Sequence, residues 1–160
     1  MVNLDKTDLK ILQELQAEAR ITNQELAERV NLSPSSCLQR VRRLEQADIL
    51  SSYHARINLP LICRHIVCIA TVSLKNHSQQ DFRDFEKMVK ATPEVVECYT
   101  VSGEFDFFLK IICPDMNHYL KINDKLLSAS DRSITINTHV VMNQNKYADG
   151  LDLKKLTEEE

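Results

Sequence analysis

From Asn31 to Glu45 the chain reads N-L-S-P-S-S-C-L-Q-R-V-R-R-L-E, which gathers hydroxyl, amide and guanidinium groups on one short helix. Ser33, Ser35, Ser36, Gln39, Arg40 and Arg43 are the candidate groove-facing residues. Arginine can donate two hydrogen bonds to guanine O6 and N7, and glutamine can pair with adenine. Hydroxyls and backbone amides at a helix start grip phosphate instead. Ser33 is a good N-cap, and Pro34 stands at the first helical position, where its missing N–H is not needed. No Asp or Glu occurs from Asn31 through Leu44, so nothing local opposes the pull of the helix N-terminus on anions. Leu38, Val41 and Leu44 recur at spacings of three and mark a buried stripe, with Arg42 flanking its edge. The bland alternative is a solvated arginine face paired with Glu28 and Glu45.

Two further helices must hold this one. Residues 4–17 form the first, with Asp5 as cap and Leu9, Ile11, Leu12 and Leu15 inward. A second opens at Thr22 or Asn23 and turns Leu26, Ala27 and Val30 inward. A strand pair, 49–53 and 54–57, would follow as a wing. This makes residues 1–57 a winged helix-turn-helix DNA-binding domain, with the helix-turn-helix at 23–42.

Residues 58–65, around Pro60, read as a linker, and the chain then changes character. Strands at 66–74, 95–102, 105–113 and 133–142 alternate with helices at 80–91 and 114–127. Phe82, Phe85, Met88 and Val89 face inward on the first of these helices, and Met116, Tyr119, Leu120, Asn123 and Leu127 on the second. The order βαββαβ predicts an α+β ferredoxin-like sandwich over 66–147, with helices on one sheet face. A second copy of the chain is the simplest cover for the other face. The tail, 148–160, carries no readable signal.

Net charge is −3, but residues 1–60 balance eight Lys/Arg against eight Asp/Glu, and their acids lie mostly in 5–28. A balanced domain can still present a basic face to DNA. Five cysteines form no C-x-x-C pair and read as structural thiols in reduced cytosol. His54, His65, His77, His118 and His139 are scattered without metal-ligand spacing, and no phosphate loop or nucleophile elbow occurs. Asp81 and Asp84 share a helix face, as surface carboxylates often do. Catalysis is therefore not expected, nor any metal or cofactor. With no apolar run of about 18 residues and no signal-like N-terminus, cytoplasmic residence is expected.

The stretches L-D-K-T-D-L-K-I-L-Q-E-L-Q, R-I-T-N-Q-E-L-A-E-R-V-N-L-S-P-S-S-C-L-Q-R-V-R-R-L-E, V-S-G-E-F-D-F-F-L-K and P-D-M-N-H-Y resemble the Lrp/AsnC, or feast/famine, family of prokaryotic transcription regulators. The wording is most similar to the leucine-responsive global regulators within it. The resemblance spans residues 4 to about 147. It implies a dimer built on the C-terminal sheets, higher assembly, commonly octameric, and a small amino-acid effector bound between dimers. It also implies control of several operons, some activated and some repressed, by a nucleoid-associated protein. Two departures stand out: residues 128–133 replace the family's usual Pro-Gly-Val, and the linker lacks its common glycine.

On that pattern Gly103-Glu104-Phe105-Asp106 matches the family's G-x-x-D effector loop. Glycine lets backbone amides approach a ligand carboxylate, and Asp106 could hold its ammonium group. Val101, Phe107, Thr138 and Val140 could line a pocket for the effector side chain, leucine or methionine being the leading candidates. The alternative is a simple hairpin in which Asp106 stabilises the turn. A nucleoid-packaging protein that senses nothing would share every DNA-facing feature.

Overall fold

The computed structural model describes residues 3–128, 134–148 and 150–157. They fall into two compact units: residues 1–57 with 145–160, and residues 58–144.

The first unit begins with α1 (Lys6–Ala17), α2 (Asn23–Arg29) and α3 (Pro34–Gln46), each started by the cap that its sequence offers. Asp5 accepts from the N–H groups of Thr7 and Asp8, both at 2.8 Å, while the Asp8 carboxylate accepts from Asp5 N–H at 3.1 Å. This reciprocal box satisfies otherwise orphaned donors. Thr22 and Glu25 form the same box on α2, and Ser33 Oγ accepts from Ser36 N–H on α3. Between α2 and α3, Asn31 takes φ 58°, a left-handed conformation that asparagine tolerates well. Arg29 ties α2 to α1 by donating to Glu14 and Glu18 at 3.1 and 2.8 Å.

The core of this unit comprises Ile11, Leu12, Leu15, Leu26, Ala27, Val30, Cys37 and Leu44. Two expectations change. On α1, Asp8 is buried while Leu9 is only half-buried. On α3, Cys37 takes the buried place expected of Leu38, which is 38% exposed. The true stripe, 37–41–44, includes one helical step of four.

The expected wing strands are not formed. Residues 51–58 carry no regular secondary structure. Only Ile49 and Leu50 pack against the core, and Tyr53 instead sends its hydroxyl to Glu45 at 2.9 Å. The segment lacks the tight-turn residues that a hairpin needs. The expected linker contains one 3-10 turn, Leu59–Leu61.

The second unit runs β1 (Ile66–Leu74), α4 (Gln79–Lys90), β2 (Val95–Thr100), β3 (Phe107–Cys113), α5 (Met116–Ser128) and β4 (Ile134–Val140). Its sheet order is β2-β3-β1-β4 with every neighbour antiparallel, the expected ferredoxin-like topology. Cys68, Ala70, Val72 and Leu74 alternate along β1 with Phe107, Leu109, Ile111 and Cys113 along β3, under Phe85, Val89, Tyr119, Ile122 and Leu126. On α5 the buried line is therefore Tyr119–Ile122–Leu126, and Met116, Leu120 and Leu127 stay exposed, contrary to expectation. Of residues 128–133, which stand where the family usually has Pro-Gly-Val, Ser128 ends α5 and 129–133 lie outside the described residues.

The opposite sheet face carries Ile69 and Thr71 of β1 and Phe108, Lys110 and Ile112 of β3, all half-buried. There Lys110 donates to Glu97 at 2.8 Å, and Tyr99 packs near Phe108 with ring centroids 6.4 Å apart.

After β4 the chain returns to the first unit, so the expected boundary at 147 falls within the returning segment. Arg56 lies 4.6 Å from the centroid of the Tyr147 ring, and Leu151 N–H donates to Gln16 Oε1 at 2.8 Å. A short helix, α6 (Leu153–Thr157), sets Leu153 against the three-helix core.

Candidate functional site

The α3 surface sorts into stripes one helical step apart. Cys37, Val41 and Leu44 face the core. Ser35, Gln39, Arg42 and Gln46, at spacings of four, three and four, share one outward stripe. With Leu38, Arg40 and Arg43 they line an open depression of about 680 Å³. Ser33, Pro34, Ser35, Ser36, Gln39, Arg42 and Arg43 are all exposed, as groove contact requires, and Arg40 is intermediate. Ser33 Oγ is engaged in capping and also donates to Ser36 Oγ at 2.9 Å. Asn23 Nδ2 donates to Pro34 O at 2.8 Å, fixing the start of α3 to the start of α2.

Two of the three arginines have partners that the sequence did not suggest. Arg40 Nη1 donates to Asp5 Oδ2 at 2.6 Å and Asp8 Oδ1 at 2.9 Å, and Arg43 donates to Asp8 Oδ2. Glu28 and Glu45, the partners considered from the sequence, are not used in this way. The Arg40 guanidinium beside Asp5 is the leading cause holding that carboxyl below its usual range. Asp8 is only 1% exposed. A carboxylate aligned with the apolar residues 11, 12 and 15 of an amphipathic helix was the available signal that it needed a cationic partner. Arg42 has no partner among the described residues.

In the second unit the residues of the expected effector loop sit at one end of the sheet. Gly103 takes φ +124° with open space where a Cβ would stand, so conformation and not crowding favours glycine there. Gly103 and Glu104 are exposed, while Val101, Phe105 and Asp106 are half-buried. Asp106 is already engaged: Oδ2 accepts from Leu74 N–H at 2.7 Å, and Oδ1 lies 3.2 Å from His77 Nδ1. Its backbone N–H donates to Val72 O at 2.8 Å. His77 was missed in the sequence because only the fold brings it to the loop. Thr138 is half-buried and its hydroxyl bonds that of Tyr119, Val140 is exposed, and Phe107 is wholly within the core. Of the candidate lining, Phe107 is thus part of the fold and not of an open pocket.

Burial raises the Cys37, Cys68 and Cys113 thiols, as expected of packing groups. Among the described residues no three His, Cys, Asp or Glu side chains converge in a metal-binding group, and no helix is long and apolar enough to cross a membrane.

The pattern of a winged helix-turn-helix DNA-binding domain matches residues 4–51, and that of the Lrp/AsnC ligand-binding domain matches residues 67–151. The leucine-responsive regulatory protein of Escherichia coli K12 is 37% identical over 152 residues, which cover 95% of this chain and 93% of that protein. A transcriptional regulator of Neisseria meningitidis, solved as a complex with L-methionine, superposes with a TM-score of 0.88 at 37% identity, covering 96% of this chain and 99% of the other. An AsnC-family regulator of Agrobacterium tumefaciens gives 0.87 at 25% identity, covering 96% and 99%. A DNA-binding helix-turn-helix followed by a ligand-binding sandwich, matched along nearly the whole chain, makes this protein a transcription regulator belonging to the Lrp/AsnC family.

Proposed function

We propose that this regulator binds specific DNA sequences through α3 and that a small amino acid, leucine or methionine, modulates its binding and assembly. The DNA surface comprises Ser33, Pro34, Ser35 and Ser36 at the helix start, then Gln39 and Arg42, with Arg40 and Arg43 along the edge facing α1. The effector is held near Val101, Gly103, Glu104, Phe105 and Asp106, with Thr138 and Val140 beside them. The observation that carries the DNA reading is the stripe Ser35–Gln39–Arg42–Gln46, an acid-free surface along one helix. The methionine complex of the Neisseria regulator supports the effector reading. The sheet face opposite α4 and α5, with Ile69, Phe108 and Ile112 half-buried on it, suits a second copy of the chain, and dimers then assemble to octamers. The protein acts by binding and not by catalysis, in the cytoplasm at the nucleoid, on amino-acid metabolism genes that it activates or represses.

Selection of duplexes from a random-sequence pool tests this reading. A shared enriched motif supports it. Equal capture of all duplexes, with no amino acid altering assembly size, favours an architectural DNA-packing protein.

A further inference from the structure

We propose that the two carboxylates of α1 divide the α3 arginines by role: Arg40 and Arg43 are positioning residues that lock α3 to α1, and Arg42 is the guanidinium that grips duplex phosphate. This rests on the DNA-binding reading above and deepens it.

Charge bookkeeping supports the division. Asp5 and Asp8 carry two negative charges, and Arg40 and Arg43 return two positive ones through three hydrogen bonds. Asp8 is buried and also serves the α1 cap, so it cannot turn to solvent when a duplex arrives. Drawing Arg43 toward DNA would leave that buried carboxylate poorly compensated, which opposes the exchange. Arg42 has no such tie. It is exposed, lacks a partner among the described residues, and follows Ser35 and Gln39 on the same stripe. Residues near the start of a recognition helix meet base edges. Arg42, ninth in a helix starting at Pro34, lies beyond them and offers an uncommitted charge to the backbone.

The test compares wild type, Arg42→Ala, Arg42→Lys, Arg43→Ala, and Arg43→Ala combined with Asp8→Asn, which preserves the wild-type net charge. Each is titrated with wild-type-selected and unrelated duplexes at two salt concentrations, and its melting temperature is recorded. Arg42→Ala should melt as wild type yet bind roughly tenfold more weakly on every duplex, with a salt slope shallower by about one. Arg42→Lys should retain most of the affinity, because an ammonium also serves a phosphate. Arg43→Ala should melt lower, and adding Asp8→Asn should recover part of the melting temperature and of the affinity, because the buried charge is gone while one amide oxygen still accepts from Arg40 or from Asp5 N–H. Wild-type affinity in Arg42→Ala, equal losses in its lysine counterpart, or a double variant no better than Arg43→Ala in either readout overturns the division. A wild-type protein that shifts no duplex overturns the DNA reading itself.

Discussion

The Arg43 guanidinium reaches back 35 residues to the Asp8 carboxylate, a group that the protein leaves only 1% exposed. The same carboxylate accepts from Arg40 and from the N–H of the α1 cap, Asp5. One buried acid thus joins the capping of the first helix to the placement of α3. Asp8→Ala removes all three interactions and should destabilise the first unit by about 2–3 kcal/mol, a range typical of hydrogen bonds to charged groups. Calorimetric melting checks this, and an unchanged transition would show the clamp to be inert.

Asp5 predicts an acid sensitivity. Its folded carboxyl ionises below its ordinary value, chiefly because Arg40 donates to it. A depressed carboxylate contributes stability above its unfolded pKa of about 3.9, and that contribution is lost as pH falls through the lower folded value. Asp5→Asn keeps an N-capping side chain but removes the charge. Its stability should therefore vary less with pH below about 4 than that of wild type. Parallel curves for the two proteins in acid denaturation would contradict the assignment.

In the second unit, variants of Asp106 tell a structural role from a ligand-binding one. Asp106→Ala strips Leu74 N–H of its acceptor and should cost about 1–3 kcal/mol. Asp106→Asn retains an oxygen for that N–H but no charge for an ammonium group. The asparagine variant is expected to melt close to wild type while losing heat of binding for amino acids. Undiminished binding heat would assign Asp106 to the hairpin alone.

What the sequence made legible was local. Ser33-Pro34 marked the start of α3, and Asp5 and Thr22 marked two more caps within a residue of where they stand. Alternation along β1 and β3 located the sandwich core. What escaped depended on contacts between distant segments. Leu38 outranks Cys37 in hydropathy, yet Cys37 is the one packed into the core with α1 and α2. The Asp8–Arg43 and Asp106–His77 pairings join positions that no helical or strand period relates. The tail offered no periodicity, and its place on α1 comes from Leu151 and Leu153 meeting Gln16 and the core.

The most direct test of a regulator that senses an amino acid is the duplex affinity of the wild-type protein, measured by mobility shift with and without L-leucine or L-methionine. At least one of them is expected to change the affinity, the size of the complex, or both. Affinity and assembly unaltered by any of the twenty amino acids, on protein proven active for DNA, would contradict it.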